Sequence, residues 1–178
     1  IIIRGTENII KDEKFFIAAS HQSMFETFFL QTLFNSPVFI LKKELLFIPI
    51  FGWYLKKIGS ISIKRGQITK DNLSFYDEIS SVVTNSDRPL IIFPQGTRVL
   101  PNERPPFKKG ASRTYEKLKI ACQPIAINSG YVWPKSGIKI SNRTITVSIM
   151  QRISNDLEKE TFLKTLEDKI YSELNLMN

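Results

Sequence analysis

The sequence has 178 residues, of which 42% are hydrophobic and 11% aromatic, which is enough apolar side chain for a folded core and excludes a disordered chain. A single cysteine, Cys122, and a single histidine, His21, exclude an internal disulfide framework and a zinc site built from Cys and His ligands. Lys and Arg outnumber Asp and Glu by 25 to 17, and the net charge of +8 indicates either a surface tuned for solubility or an anionic partner.

Apolar runs rich in β-branched residues alternate with segments of helical periodicity, which is typical of an α/β domain. The runs that predict strands are, in chain order, residues 14–20, 38–41, 58–65, 89–93, 123–127 and 144–150. The segments that predict helices are residues 23–33, 69–83, 110–120 and 156–176. Within the first of these helices the apolar residues that recur at helical spacing are Phe25, Phe28, Phe29 and Leu33. Residues 42–57 predict short helices broken at Pro49.

The only histidine follows a predicted strand and precedes a helix, where its side chain would face a pocket at the carboxyl end of the strand. Glu26 lies five residues later. On one continuous helix the two side chains would point about 140° apart, so they can meet only if His21 precedes the helix and folds back over its first turn. A carboxylate on one imidazole nitrogen would then leave the other nitrogen as a general base for a hydroxyl. Ser23 and Glu26 also stand in the S-x-x-E register of a capping box, a structural role that is compatible with the catalytic one.

A second candidate segment, FPQGTR at residues 93–98, also follows an apolar strand. Gly96 permits a sharp turn, Thr97 offers a hydroxyl and Arg98 offers a guanidinium group that suits a phosphate. In residues 59–66, Lys64 and Arg65 end a predicted strand beside a glycine. Taken alone, these segments are more simply explained as an ordinary turn and two solvated cations than as a binding site.

The longest nearly apolar run is LLFIPIFGWYL, residues 45–55. Its 11 residues fall short of the roughly 20 that a helix needs to cross a bilayer. Aromatic side chains occupy its centre, and lysines border it on both sides. The pattern fits either plain core or a segment that lies in the headgroup region of a membrane with its lysines on anionic lipid.

Four blocks, in their order and spacing, resemble the 1-acylglycerol-3-phosphate acyltransferases, also called lysophosphatidic acid acyltransferases. The blocks are HQSMFE at residues 21–26, GSISIKR at 59–65, FPQGTR at 93–98 and QPIAINSG at 123–130. The resemblance extends from about Gly5 to Met150. It implies an α/β fold in which a mixed, mostly parallel sheet is covered by helices on both faces.

The resemblance also implies a reaction. His21, oriented by Glu26, would deprotonate the free hydroxyl of lysophosphatidic acid, which attacks the thioester of acyl-CoA or acyl carrier protein and yields phosphatidic acid. The residues expected to bind the substrate are Lys42, Lys43, Arg65, Gln95, Gly96, Thr97 and Arg98. We expect no metal, no cofactor beyond the acyl donor and no nucleic-acid partner. Cys122 lies in an apolar segment and is expected to be a core residue instead of a nucleophile.

Two positions depart from the family pattern. Glu26 stands where Asp is usual, which keeps the charge, and Gln95 stands where Glu is usual, which removes one. Gln95 leaves open an altered acceptor, or an inactive relative that binds anionic lyso-lipid. We expect a single acyltransferase domain over residues 1–178 that lacks an N-terminal membrane anchor and works in a bacterium, at the cytoplasmic face of the inner membrane.

Overall fold

The structure is a computed structural model that describes residues 1–63, 70–135, 138–140 and 142–177, without the side chains of residues 51 and 70–74. Its strands are β1 Ile2–Arg4, β2 Phe15–Ala19, β3 Val38–Lys42, β4 Ile61–Ile63, β5 Leu90–Ile92, β6 Ala121–Ile127 and β7 Thr146–Ile149. Its α-helices are α1 Phe25–Leu33, α2 Phe51–Lys57, α3 Lys70–Asn85, α4 Lys109–Leu118 and α5 Lys159–Leu176. Short 3₁₀ helices cover Thr6–Asn8, Lys43–Phe47 and Ser129–Tyr131.

The strands form one seven-stranded sheet in the order β1-β7-β6-β2-β5-β3-β4. Every pairing between neighbours is parallel except that of β6 with β7, so β1 and β7 run against the other five strands. The predicted mixed, mostly parallel sheet is therefore confirmed. Because β2 lies between β5 and β6, the loops that follow these three strands meet at one edge of the sheet.

Helices cover both faces of the sheet, as predicted, and β2 shows why. Its side chains alternate, so Phe16 and Ala18 face one cluster of buried residues while Ile17 and Ala19 face another. The first cluster includes buried residues of α3, α4 and α5, and the second includes Leu30 of α1. A strand that is buried on both faces needs apolar side chains at successive positions, which explains the continuous apolar run in the sequence.

Within the described residues the predicted elements are confirmed with shifted ends, and β1 was not predicted at all. The end of the strand predicted over 58–65 and the start of the helix predicted over 69–83 lie outside the described residues. Helix α1 begins at Phe25, two residues later than expected, because residues 20–24 form the loop that carries His21. Its buried positions are Glu26 and Leu30, whereas the side chain of Phe28 is 45% exposed. The aromatic periodicity of this segment thus indicated the helix but not the face that it buries.

Residues 42–57 form the short helices that the sequence predicts, a 3₁₀ helix over Lys43–Phe47 and then α2. Ile50 lies between them with φ of 64°, a left-handed conformation that β-branched residues rarely adopt. Among the described residues, no helix combines the length and the hydropathy needed to cross a membrane.

Candidate active site

Three loops meet at the carboxyl edge of the sheet and build the candidate site. The loop after β2 carries His21, the loop after β5 carries residues 93–98, and the 3₁₀ helix Ser129–Tyr131 follows β6. Ser20 joins the first loop to β6, because its hydroxyl accepts a hydrogen bond from the Ile127 N–H at 2.8 Å and donates one to the Ile127 carbonyl at 3.1 Å. The position of His21 is thus set by the sheet itself.

The main chain of His21 is held on both sides by the loop after β5. Its N–H donates to Oε1 of Gln95 at 3.0 Å, and its carbonyl accepts from the Val99 N–H at 2.9 Å. These bonds fix where the imidazole leaves the backbone. The histidine loop and the loop after β5 therefore form one unit, although more than seventy residues separate them in sequence.

The imidazole ring of His21 is held by two contacts. It stacks on Phe93 with ring centroids 4.0 Å apart and an angle of 15° between the planes. Its Nδ1 lies 3.3 Å from Oε2 of Glu26. The side chain is 17% exposed, and Nε2 has no hydrogen-bond partner among the described residues. A carboxylate on Nδ1 favours the tautomer that carries its proton there, which leaves Nε2 able to accept a proton from a substrate.

The carboxylate of Glu26 is fully buried in the first turn of α1 and is surrounded by hydrogen-bond donors. Oε1 accepts from the N–H groups of Gln22 and Ser23, each at 3.2 Å, and from the hydroxyl of Ser129. Oε2 accepts from the Ser23 N–H at 3.1 Å and faces His21. The amino end of a helix also favours a negative charge. These groups compensate for the burial of the carboxylate.

The capping box predicted from Ser23 and Glu26 is half formed. Glu26 reaches back to the Ser23 N–H, as a capping box requires, but the Ser23 hydroxyl accepts from the Phe25 N–H at 3.0 Å instead of from the N–H of Glu26. One side chain therefore serves both predicted roles, because Glu26 closes the start of α1 and orients His21.

The segment after β5 turns sharply and presents its last residues outward. The Gly96 N–H donates to the Phe93 carbonyl at 2.9 Å, and Gly96 has φ of 74°, which explains the need for glycine there. Thr97 is exposed and Arg98 is half-buried. Within the described part of the chain the Arg98 guanidinium has no hydrogen-bond or ion-pair partner, so it is available to an anion.

Gln95 does not face outward with its neighbours. Its side chain is 1% exposed and its Oε1 accepts a hydrogen bond from the His21 N–H, so this geometry does not support the expected contact between Gln95 and the substrate. Its Nε2 is buried without a hydrogen-bond partner among the described residues. Burial, followed by the Glu167 carboxylate, raises the pKa of the nearby Tyr171 phenol to about 12, and the Gln95 side chain acts in the opposite direction. Gln95 thus supports the histidine loop.

Two of the predicted basic residues, Lys42 and Lys43, follow β3 and lie on the other side of the β5 loop from His21. Lys42 is the last residue of β3 and Lys43 the first of the following 3₁₀ helix, so both lie at the edge of the sheet that carries His21. Strand β4 is parallel to β3 and ends at this edge with Ile63. Arg65 falls outside the described residues, and its role stays a prediction.

Two residues that support the site were not identified from the sequence. Phe93 and Ser129 belong to blocks that were recognised, but nothing in their spacing predicts a ring stacked on His21 or a hydroxyl bonded to Glu26. The polar Asn-Ser pair directly after the apolar strand β6 was the available signal.

Cys122 is fully buried in β6, as predicted. Burial raises the pKa of its thiol well above the ordinary value, so the thiolate that a nucleophile requires is disfavoured. The side chain packs in the core on the face covered by α3, α4 and α5.

Comparison with known proteins links this geometry to a family. The acyltransferase family model matches residues 1–128. The 1-acyl-sn-glycerol-3-phosphate acyltransferase of Pseudomonas aeruginosa is 35% identical over 147 residues, which cover 83% of this chain and 56% of that protein. The protein of the same name from Helicobacter pylori is 29% identical over 160 residues, which cover 88% of this chain and 67% of that protein. The chain thus spans between half and two thirds of the length of these curated relatives.

A solved structure shows the same fold. The crystal structure of the 1-acyl-sn-glycerophosphate (LPA) acyltransferase PlsC from Thermotoga maritima superposes with a TM-score of 0.82 over 99% of this chain and 72% of that chain, at 22% sequence identity. These matches confirm the resemblance predicted from the four sequence blocks. The chain therefore belongs to the acyltransferase family.

Proposed function

We propose that this chain transfers a fatty acyl group from an acyl thioester to the 2-hydroxyl of 1-acylglycerol 3-phosphate and so makes phosphatidic acid. The observation that carries the proposal is His21, whose Nδ1 faces a buried carboxylate while its Nε2 has no partner among the described residues. The names of the relatives support the choice of acceptor and product.

In the proposed reaction Nε2 of His21 takes the proton of the acceptor hydroxyl as the oxygen attacks the thioester carbonyl carbon. A C–O bond forms, the C–S bond breaks, and the imidazolium returns the proton to the departing sulfur to give the free thiol. Glu26 stabilises the imidazolium while it exists. No covalent intermediate with the protein is needed, because the thioester is already activated, and the burial of Cys122 agrees with this.

The acceptor's phosphate is proposed to bind beside His21 through Arg98, with help from Lys42, Lys43 and Arg65. Arg98 is half-buried, and its guanidinium has no hydrogen-bond or ion-pair partner among the described residues. It could therefore form bidentate hydrogen bonds with phosphate oxygens. Gly96 and Thr97 would line the same approach. The donor would be acyl-CoA or acyl carrier protein, both of which present a thioester.

Replacing Arg98 with Ala should raise the KM for lysophosphatidic acid by about 10- to 100-fold, since hydrogen bonds to charged groups contribute about 1.5–3 kcal/mol. The KM for the acyl donor and kcat should change little. Steady-state kinetics with each substrate varied in turn measure all three quantities. Arg4→Ala is the matched control. This exposed arginine is the last residue of β1, and because β1 runs antiparallel to β2, Arg4 lies at the edge of the sheet opposite to His21. A rise confined to the donor's KM would contradict the phosphate role.

We also propose that the protein works on a membrane surface, through a patch that we call the apolar patch: Phe47, Ile48, Ile50, Trp53 and Tyr54. Phe47 and Ile50 are each 77% exposed and Trp53 is 74% exposed. The strained backbone at Ile50 presents that side chain to solvent. The lysines that flank the patch suit anionic headgroups. In a bacterium the proposed site of action is the cytoplasmic face of the inner membrane.

The double variant Ile50→Ser and Trp53→Ser should bind vesicles at least about tenfold more weakly, since burying a large apolar side chain contributes about 1.5–3 kcal/mol. Sedimentation with vesicles of phosphatidylglycerol and phosphatidylethanolamine measures the partition coefficient. Leu176→Ser is the matched control, because Leu176 is also 77% exposed but lies on α5, outside the apolar patch. Equal losses in the double variant and the control would refute docking through the apolar patch.

A further inference from the structure

The Ser129 hydroxyl reaches the Glu26 carboxylate from a distant part of the chain. Three of the donors to this carboxylate belong to the histidine loop itself, namely the N–H groups of Gln22 and Ser23 and the ring of His21. Ser129 follows β6, more than one hundred residues away, and is fully buried. Among the described residues it is the one donor to Glu26 that comes from outside residues 21–26.

The hydrogen bonds around Ser129 set the direction in which its proton points. The Ser23 oxygen accepts from the Phe25 N–H at 3.0 Å, so its own proton is free to go to the Ser129 oxygen, also at 3.0 Å. The Ser129 oxygen then acts as an acceptor, and its proton goes to Oε1 of Glu26. In this series of hydrogen bonds each of the two hydroxyls accepts one bond and donates one. Hydrogen bonds connected in this way strengthen one another.

The bond to Ser129 also determines which carboxylate oxygen faces the imidazole. With Oε1 occupied by Ser129 and two N–H groups, Oε2 is directed at Nδ1 of His21. Without the hydroxyl, the carboxylate would keep only donors from its own loop and could rotate about its terminal torsion, which is broad in glutamate. The neighbouring Gly130 N–H donates to Oε1 of Gln22 at 3.0 Å and ties the same two segments together.

We propose that Ser129 is a positioning residue that acts through Glu26 to keep the His21 proton on Nδ1 and Nε2 open. Its effect on turnover rests on the proposed function, but its effect on the imidazole tautomer does not. The two effects can therefore be measured separately.

The test uses the fact that the chain has one histidine. In protein labelled with ¹⁵N-histidine, the two ring nitrogens of His21 give the only imidazole signals, and their chemical shifts report which nitrogen carries the proton. In the wild type at alkaline pH we expect the form protonated on Nδ1 to predominate. Ser129→Ala should move the population measurably toward the form protonated on Nε2. Ser23→Ala, which removes the hydroxyl that orients Ser129, is a second variant and should give a smaller change in the same direction.

Ser112→Ala is the matched control, because Ser112 is also buried but its hydroxyl donates to the Lys109 carbonyl within α4. It should keep the wild-type tautomer ratio and the wild-type kcat. Ser129→Ala should lower kcat by about 10- to 100-fold, by analogy with the loss of a hydrogen-bond partner that orients a metal-bound histidine, with both KM values unchanged.

A wild-type tautomer ratio in Ser129→Ala would overturn the proposal, whatever the ratio in Ser23→Ala. A changed ratio in Ser129→Ala, with an unchanged one in Ser112→Ala, supports it even if the wild type shows no acyl transfer. That last result would reject the proposed function and leave the positioning role of Ser129 in place.

Discussion

Replacing His21 with Ala should reduce acyl transfer by about 10²–10⁴-fold, the usual contribution of a general base. The loss should appear in kcat because the imidazole acts when the acceptor hydroxyl attacks. The fold should survive, since the main-chain bonds of His21 to Gln95 and Val99 do not need its side chain. Loss of the ring stacked on Phe93 should cost only about 0.5–1.5 kcal/mol of the free energy of unfolding. Thioester release and thermal unfolding measure the two effects.

His21→Asn separates the basic nitrogen from the bulk of the side chain. The amide can still donate a hydrogen bond to Glu26, but it offers no basic nitrogen to the substrate. We expect this variant to be as slow as His21→Ala and closer to the wild type in thermal stability. Turnover near the wild-type rate in either variant would contradict the proposed general base.

Replacing Glu26 with Gln should lower kcat by up to about 10⁴-fold, as does the equivalent loss of charge beside the histidine of a serine protease. The donors of Gln22, Ser23 and Ser129 would take the single amide oxygen, which leaves the amide NH₂ facing Nδ1 of His21. Nδ1 would then have to accept a hydrogen bond, and the proton would move to Nε2. The general base would be lost although its ring stays in place.

Glu26→Asp is the matched variant, because it keeps the negative charge and shortens the side chain by one methylene group. We expect it to retain far more activity than Glu26→Gln, since Asp is usual at this position in the family that the sequence resembles. The Gln variant should also unfold at a lower temperature, because its amide NH₂ would face the Ser23 N–H where Oε2 now accepts a hydrogen bond, and a buried donor left without an acceptor costs about 1–3 kcal/mol. If Glu26→Gln kept more than a tenth of the wild-type kcat, Glu26 would not be the residue that orients His21.

Much of the fold could be predicted because its central strands are buried on both faces. Residues 15–19, 90–92 and 121–127 therefore appear as apolar runs, and the helices between them show their period. The order of the strands in the sheet cannot be predicted from these apolar runs, because tertiary packing determines which strands pair. Strand β1 escaped prediction for another reason. It has only three residues, all of them exposed, and pairs only with β7, so it shows no alternation of buried and exposed positions that would mark a strand.

The site could be predicted only as far as its local geometry extends. The spacing of His21 and Glu26, with the strand before and the helix after, showed how the two side chains could meet, and the family resemblance implied that they do. The structure shows the contact. The inward orientation of Gln95 was not predictable, since a turn of this composition can direct its second central residue either way.

The inward orientation of Gln95 also bears on whether the chain is an inactive relative. Gln95 meets the His21 main chain and not the open side of the site, so the loss of a charge at this position does not change the surface that faces the substrate.

In the reaction that we propose, a lysophospholipid hydroxyl, activated by His21, accepts an acyl group from a thioester. The most direct test measures the rate of thiol release from acyl-CoA, and separately from acyl carrier protein, with and without lysophosphatidic acid in the presence of vesicles. We expect release with at least one donor to depend on lysophosphatidic acid and to match the formation of phosphatidic acid mole for mole. A release rate that does not change when lysophosphatidic acid is added, or release with no phosphatidic acid formed, would contradict the account.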